Sequence, residues 1–154
     1  MDLGDLLVPD GVFASFKVKT KKQALQELAG KAARLTSLDE RLIFDSLLQR
    51  ERLGSTGVGR GIAIPHARLP GLAKIATVFA QLEEPIEFDS ADGEAVDLVF
   101  VLLAPEQAGA DHLKALARIS RVLRDPQTLE KLRAARDRVA LFSVLTEPLA
   151  SHAA

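Results

Sequence analysis

The chain has 154 residues, of which 47% are hydrophobic and 27% are charged, a composition typical of one ordinary globular domain. Its 20 Lys and Arg residues balance 21 Asp and Glu residues, so the formal net charge of -1 gives no overall positive field to attract nucleic acid or an anionic membrane. The absence of cysteine excludes thiol catalysis, zinc knuckles and disulfide bonds. We expect a single domain over residues 1–154, with an ordered core at about 5–147, a frayed tail at 148–154 and no nucleic-acid partner.

The sequence also argues against a membrane or secreted protein. No stretch approaches the roughly 20 consecutive apolar residues that a membrane-spanning helix needs. The N-terminus, Met-Asp-Leu-Gly-Asp, is acidic where a secretory signal would be basic, and no apolar segment with a small-residue cleavage site follows. We therefore expect a cytoplasmic protein without membrane insertion.

The first two elements are predicted to be a strand and a helix. Within residues 11–18, Val12, Ala14 and Phe16 recur with a period of two, which predicts a short strand with these three side chains on one face. Thr20 is a candidate N-cap for the following helix. Apolar residues at helical spacing extend that helix from residue 21 to about residue 35.

A second helix and a glycine-rich segment come next. Ser37 followed by Glu40 has the pattern of a capping box, which predicts that the second helix begins there and runs toward Glu51. Residues 53–70 then interleave glycine with small polar residues, and we expect a loop with short strands.

Two apolar segments predict the centre of a sheet. Residues 75–82 and 97–103 are rich in Val, Ile, Leu and Phe, and the second, in the run VDLVFVLLAP, is typical of a central strand covered on both faces. Pro85 and the pair Asp92-Gly93 are expected to mark turns between them.

The last third of the sequence predicts helices. Residues 111–123 have apolar positions at helical spacing, a short helix is expected to begin at Pro126 with Asp125 as its cap, and a last helix is expected at about 138–145. Strands that alternate with helices predict an α/β domain, with a mixed β-sheet flanked by helices.

The segment most informative about function is residues 50–66, RERLGSTGVGRGIAIPH. Glycine permits positive φ and close approach of a ligand, so successive backbone N–H groups there could bind an anion. The segment is not a Walker A motif, because no Gly-Lys-Ser/Thr follows, and it lacks the GxGxxG spacing of a dinucleotide site. From the glycines alone, a mobile irregular loop is an equally good interpretation.

Two of the three histidines are candidates for chemistry. His152 falls in the expected frayed tail, whereas His66 follows Pro65, which stiffens the backbone beside the glycine-rich segment. His112 lies at the start of a predicted helix, where it could equally be a packing residue at the edge of the core. The pair lacks a third ligand at a suitable spacing, so we expect no metal site.

The residues of this region resemble a known family. The run GSTGVGRGIAIPHA, preceded by Arg50-Glu51 and followed by VDLVFVLLAP and then His112, resembles the enzyme IIA domains of the bacterial phosphotransferase system, fructose/mannitol type, and most of all their nitrogen-regulatory branch. The resemblance covers nearly the whole chain, and the segment GIAIPH is highly specific. It implies an α/β fold, no cofactor, and a histidine, His66 here, that accepts a phosphoryl group from the phosphohistidine of the carrier HPr or its nitrogen-branch counterpart.

The resemblance also implies roles for other residues. Arg50 matches an arginine that stabilises charge on the phosphoryl group, although alone it would be interpreted as a solvated residue at the end of a helix. His112 matches a second histidine that faces the acceptor and donates a hydrogen bond. The loop residues that the resemblance gives to phosphoryl binding are Gly54, Ser55, Thr56, Gly57, Gly59 and Gly61.

Two positions depart from the family pattern. Arg60 stands where asparagine is common, and Ala67 stands where glycine is common. Neither touches the chemistry of the acceptor directly, but both could shift the geometry of the loop or the preference for partners.

The chemistry of phosphoryl transfer agrees with these residues, because it needs an in-line nucleophile and stabilisation of charge on the equatorial oxygens. His66 would attack through one ring nitrogen while a backbone carbonyl or a side chain orients the other, and the sequence does not say which. We expect a histidine phosphocarrier that regulates partners through its phosphorylation state, since a chain of this length without a membrane span cannot contain IIB and IIC domains.

Two other functions stay open from the sequence. One is a sugar-specific enzyme IIA that passes its phosphoryl group to a separate IIB protein. The other is a protein-binding module whose histidine is never phosphorylated.

Overall fold

The structure is a computed structural model that describes residues 2–147. At its centre lies one six-stranded mixed β-sheet with helices on both faces. This arrangement confirms the predicted α/β class. The predicted frayed tail at 148–154, with His152, lies outside the described residues.

The long apolar strand predicted to be central is central. The strands are β1 (Val12–Phe16), β2 (Gly57–Gly59), β3 (Ile62–Ala63), β4 (His66–Leu69), β5 (Ala76–Ile86) and β6 (Val96–Pro105). Their order across the sheet is β1-β5-β6-β3-β2, and β4 also pairs with β6, beyond the end of β3. β6 is antiparallel to β5 and parallel to β3 and β4, so its backbone is paired on both sides.

The helices cover the two faces of the sheet and create two apolar cores. They are α1 (Lys21–Thr36), α2 (Glu40–Arg52), α3 (Ala110–Arg124), α4 (Pro126–Ala134) and α5 (Arg138–Leu145). The first core lies between the sheet and α1 and α2, and the second between the sheet and α3, α4 and α5. From Leu98 to Leu103, successive residues of β6 alternate between the cores, as a strand buried on both faces requires. No helix within residues 2–147 combines the length and the apolar character needed to cross a membrane.

The capping-box prediction at Ser37 is wrong. Ser37 ends α1 in the left-handed conformation, with φ 61°, and its backbone N–H donates to the carbonyl of Ala33. The cap of α2 is Asp39, whose carboxylate accepts a hydrogen bond from the backbone N–H of Leu42 at 3.1 Å. The two helices are so close in sequence that the residue predicted to begin one ends the other. The caps predicted at Thr20 and Asp125 are confirmed.

The predicted alternation in β1 holds for only two of its three residues. Val12 is buried in the core beside α3, α4 and α5, and Ala14 packs against the same core, but Phe16 packs on the opposite core. Ser15 has φ 49°, and the register with β5 shifts between Phe13 and Phe16. This irregularity rotates Phe16 to the other face of the sheet.

The predicted turn at Pro85 is also wrong. β5 continues through Pro85 to Ile86, and its register with β6 shifts between Gln81 and Ile86. Proline lacks the N–H that a regular ladder uses, so a strand accommodates it at such an irregularity. The turn predicted at Asp92-Gly93 is present, because the backbone N–H of Gly93 donates to the carbonyl of Ser90 at 3.0 Å.

The departure from the family pattern at Arg60 falls in a tight hairpin turn. Arg60 and Gly61 alone connect β2 to β3, with φ 59° and 79°. Positive φ at both central residues is the type I′ turn, for which Asn-Gly is the favoured pair. Arg60 takes this conformation with its guanidinium donating to the carbonyl of Arg124 at 3.2 Å and its backbone N–H donating to Asp92 at 3.0 Å.

Replacing Arg60 by asparagine should therefore stabilise the protein. Asparagine adopts left-handed backbone more readily, and we expect Arg60→Asn to raise the free energy of unfolding by about 0.5–1 kcal/mol despite the lost exposed hydrogen bond. Arg60→Ala loses the same bond without that backbone benefit and should be less stable than wild type. Denaturant unfolding of the three proteins checks the order, and an Asn variant as unstable as the Ala variant would contradict it.

Candidate functional site

Three distant parts of the chain meet at one open cleft of about 590 Å³. His66 begins β4, Arg50 lies in the last turn of α2 and His112 lies in the first turn of α3. The pairing of β4 with β6 places His66 opposite Leu102, at the end of the sheet where α3 begins. The other lining residues are Ser46, Gln49, Arg52, Leu53, Ala67 and Arg68. The structure thus brings together the three residues predicted to be catalytic.

The two ring nitrogens of His66 have different partners. Nδ1 lies 2.9 Å from the carbonyl oxygen of Ile64, and Nε2 lies 3.2 Å from Nε of Arg50. A carbonyl oxygen only accepts, so Nδ1 is the protonated nitrogen, and Nε2 accepts the hydrogen bond of Arg50 with its lone pair. A backbone carbonyl therefore orients the imidazole, which answers the question that the sequence left open.

Arg50 is held at the mouth of the cleft by two contacts. Its Nη1 donates to the carbonyl of Gly54 at 2.9 Å while its Nε donates to His66. The guanidinium is charged at every relevant pH, so a fixed positive charge lies beside Nε2. This charge would attract a negatively charged group that approaches Nε2.

His112 lies against His66 with an unsatisfied nitrogen. The two ring centroids are 5.6 Å apart and the planes are inclined by 51°. His112 is buried, and within residues 2–147 its Nδ1 has no hydrogen-bond partner. Buried polar atoms without a partner are rare in proteins, and they are found where a ligand or a reaction uses them.

The charges around the cleft favour an anion. Arg50, Arg52 and Arg68 line it, and its described lining contains no carboxylate. The sequence motifs did not indicate Arg52, which follows Arg50 by two residues at the end of α2, or Arg68. The strand period gives a signal for Arg68, because it lies two residues after His66 on β4 and therefore on the same face.

The pKa values of both histidines are lowered, which favours their neutral forms. Burial lowers the pKa of His66, and the positive charge of Arg50 lowers it further, with partial opposition from the Ile64 carbonyl and Glu51. Burial also lowers the pKa of His112, and the neighbouring His66 and Arg68 act in the same direction. The neutral form keeps a lone pair on Nε2, as a nucleophilic imidazole requires.

The two loop hydroxyls predicted to bind a phosphoryl group point elsewhere in this structure. The hydroxyl of Ser55 donates to the carbonyl of Phe88 at 2.6 Å, and the hydroxyl of Thr56 donates to the carboxylate of Glu51. Neither residue lines the cleft. Their binding of a phosphoryl group stays a prediction, and what the structure shows is a role in shaping the loop.

The later glycines of the loop also serve packing. A Cβ on Gly57 would lie 2.4 Å from the hydroxyl of Ser90, and one on Gly61 would lie 2.5 Å from Arg133. Gly59 has φ 103° at the end of β2. These three glycines are not among the residues that line the cleft, and Gly54 is linked to it through its carbonyl and Arg50.

The second departure from the family pattern, Ala67, is accommodated by the core. Ala67 pairs with Leu103 in the ladder and packs in the core beneath α1 and α2. No cluster of three or more His, Cys, Asp or Glu residues in the described chain is arranged to hold a metal ion.

Comparison with known proteins agrees with this geometry. The family model described as phosphoenolpyruvate-dependent sugar phosphotransferase system, EIIA 2, matches residues 5–147. A nitrogen regulatory protein of Bradyrhizobium diazoefficiens is 60% identical, with 99% of this chain and 100% of that protein covered. A fructose-specific EIIA component of the phosphotransferase system from Haloferax volcanii is 38% identical, with 83% and 84% covered.

Solved structures show the same fold. The nitrogen regulatory protein IIA-Ntr from Neisseria meningitidis superposes with a TM-score of 0.89 at 33% identity, over 94% of this chain and 99% of that one. The mannitol enzyme IIA of Escherichia coli, solved in complex with phosphorylated enzyme IIB, gives a TM-score of 0.77 at 21% identity, over 90% and 96% of the chains.

The lowered pKa values predict how the protein responds to acid. NMR titration should place the pKa of both His66 and His112 below the usual value of about 6.5. As the pH falls, the histidines of the unfolded chain bind protons before those of the folded chain. Their contribution to the free energy of unfolding is therefore fully present above pH 6.5 and is lost as the pH drops toward the folded-state pKa values. The double variant His66→Gln/His112→Gln should flatten this slope, and pKa values at or above 6.5 would contradict the account.

Proposed function

Because the chain belongs to the EIIA 2 family of the phosphoenolpyruvate-dependent sugar phosphotransferase system, we propose that it is a histidine phosphocarrier that accepts a phosphoryl group on Nε2 of His66. One observation carries this proposal. Nδ1 of His66 is hydrogen-bonded to the Ile64 carbonyl, while Nε2 presents its lone pair beside the charge of Arg50.

The transfer step follows from these contacts. The donor is the phosphohistidine of HPr or of its nitrogen-branch counterpart. Nε2 of His66 attacks the phosphorus in line, the N–P bond of the donor breaks, and its electron pair returns to the imidazole of the donor. No base is needed, because Nε2 of the resting protein carries no proton. Arg50 releases Nε2 and turns its N–H groups to the phosphoryl oxygens, which His112 contacts from the other side.

Phosphorylation gives the cleft a second property, a large change in its electrostatic potential. A phosphoryl group adds close to two negative charges to a cleft lined by Arg50, Arg52 and Arg68. A partner that docks over the cleft therefore meets a different potential in each state. This change supports a regulatory role, in which partners distinguish the phosphorylated from the free protein.

Two exposed leucines beside the cleft form a suitable docking surface for the carrier. Leu53 lines the cleft and is 84% exposed, and Leu113, which follows His112, is 62% exposed. Exposed large apolar side chains near a reactive group are typical of a protein–protein contact. A cytoplasmic location belongs to the same proposal, since a diffusing phosphocarrier meets its donor in one compartment.

A second candidate function is a sugar-specific enzyme IIA. It is favoured by the relative from Haloferax volcanii, a fructose-specific component at 38% identity. In that case His66 would pass its phosphoryl group to a separate IIB protein. The third possibility, a binding module whose histidine is never phosphorylated, would use the same surface without the chemistry.

Incubation with phosphorylated HPr or its nitrogen-branch counterpart should give a singly phosphorylated chain. The bond is a phosphoramidate, so it should be labile in acid and stable in base, and His66→Ala should abolish it. His112→Ala keeps the nucleophile and should slow transfer about 10- to 100-fold, as expected for one lost charge-assisted hydrogen bond. Intact-mass spectrometry and single-turnover kinetics provide the measurements.

The outcomes separate the three functions. Phosphate that survives acid or persists in His66→Ala would refute the proposed acceptor. A wild-type protein that accepts nothing from either carrier would favour the binding module. Rapid transfer onward to a purified IIB protein would favour the sugar-specific enzyme IIA over the regulator.

The docking surface has its own test. Leu53→Ser and Leu113→Ser should each raise the KM for the phosphorylated carrier about 5- to 10-fold with little change in kcat. The reason is that each leucine buries its apolar surface only when the carrier is bound, and serine buries less. Val139 on α5 is 76% exposed and does not line the cleft, so Val139→Ser is the matched control and should leave KM unchanged. Equal effects at all three positions would argue against a docking surface at the cleft.

A further inference from the structure

A buried carboxylate beside the cleft has no part in the transfer step described above. Among residues 2–147, Glu51 is the only acidic residue that is buried, with 7% of its surface exposed. It lies in the last turn of α2, where the helix dipole favours cations. Burial and the helix dipole both disfavour the negative charge of Glu51. The ammonium group of Lys21 offsets this cost, with its Nζ 3.0 Å from a carboxylate oxygen of Glu51.

Glu51 holds Thr56 at two points. One carboxylate oxygen accepts the backbone N–H of Thr56 at 3.0 Å, and the other accepts the hydroxyl of Thr56. Thr56 is itself buried, so water does not compete for these bonds. The segment from Glu51 to Thr56 is therefore closed into a fixed turn.

Two chains of hydrogen bonds lead from this turn to the two nitrogens of His66. In one, the carbonyl of Thr56 accepts the N–H of Ile64 at 2.9 Å, and the carbonyl of Ile64 accepts Nδ1–H of His66 at 2.9 Å. In the other, the turn presents the carbonyl of Gly54 to Nη1 of Arg50, whose Nε donates to Nε2 of His66. The imidazole is thus held from both sides by groups whose positions depend on Thr56.

We propose that Glu51 and Thr56 are positioning residues, which fix the angle and the tautomer of the His66 imidazole relative to the Arg50 guanidinium. An apolar pair of the same shape would fill this space at less electrostatic cost, so the buried charge is accounted for by the geometry that it imposes. The effect on transfer rate rests on the proposed phosphocarrier function. The effect on the tautomer does not, because it belongs to the unphosphorylated protein.

The test compares three threonine variants. Thr56→Val keeps the shape and the backbone N–H bond but removes the hydroxyl, and Thr56→Ser restores a hydroxyl. Thr128 offers a matched control: it is buried, and its hydroxyl and backbone N–H both donate to Asp125, at 2.7 and 3.0 Å, in the junction of α3 and α4. Thr128→Val therefore loses the same kind of bond in a part of the fold that does not line the cleft.

Two readouts are measured on each protein. Ring ¹⁵N chemical shifts give the tautomer of His66, and single-turnover kinetics at saturating phosphorylated HPr give the rate of transfer. Thr56→Val should raise the population with the proton on Nε2 and slow transfer about tenfold, since small displacements of a reacting group are costly in rate. Thr56→Ser and Thr128→Val should match wild type in both readouts, even where Thr128→Val lowers the melting temperature.

The proposal is overturned if Thr56→Val keeps the wild-type tautomer, or if Thr128→Val changes both readouts as much as Thr56→Val does. If Thr56→Val does not fold, Glu51→Gln replaces it, with the same change of tautomer expected and the same result overturning the idea. A wild-type protein that accepts no phosphoryl group would refute the proposed function, and the tautomer measurement would then decide the positioning role alone.

Discussion

The hydrogen bond from Nδ1 of His66 to the carbonyl of Ile64 determines what the cleft can do. By holding the proton on one nitrogen, it leaves the lone pair of the other directed at Arg50. The bond is available because the backbone of Ile64 faces away from β6: its N–H donates to the carbonyl of Thr56, whereas the carbonyl of the next residue, Pro65, accepts the N–H of Leu102 on β6. Neighbouring carbonyls of an extended chain point to opposite edges, so the carbonyl of Ile64 lies on the edge away from β6, where it accepts the hydrogen bond of Nδ1.

The surrounding fold serves to keep that bond and its neighbours in place. β6 is buried on both faces and paired on both edges, so β4 is anchored to the central strand of the sheet. α2 ends and α3 begins beside the cleft. Because the two helices pack on opposite faces of the sheet, Arg50 and His112 reach the cleft from opposite faces. The site therefore combines an imidazole on a strand with cations from a helix end in an open cleft.

Much of the architecture was predictable from the sequence, because its signals are local or repetitive. The apolar run of β6, the periodic helices and the GIAIPH motif identified the α/β class and its candidate residues. The failures lie where a local pattern has two solutions. The pattern around Ser37 fits either the start of α2 or the end of α1, and the pattern around Pro85 fits either a turn after β5 or an irregular part of β5. Only the tertiary pairing of the neighbouring segments decides these cases.

The sequence could name His66 as the candidate acceptor but not which ring nitrogen keeps its lone pair, because that depends on the carbonyl of Ile64, two residues earlier. The most direct measurement is therefore the attachment site itself. In the phosphorylated chain, ³¹P–¹⁵N couplings in NMR spectra should place the phosphorus on Nε2 of His66, with Nδ1 still protonated toward Ile64. Phosphorus on Nδ1 would contradict the account, because that nitrogen could react only after losing the bond that orients the ring.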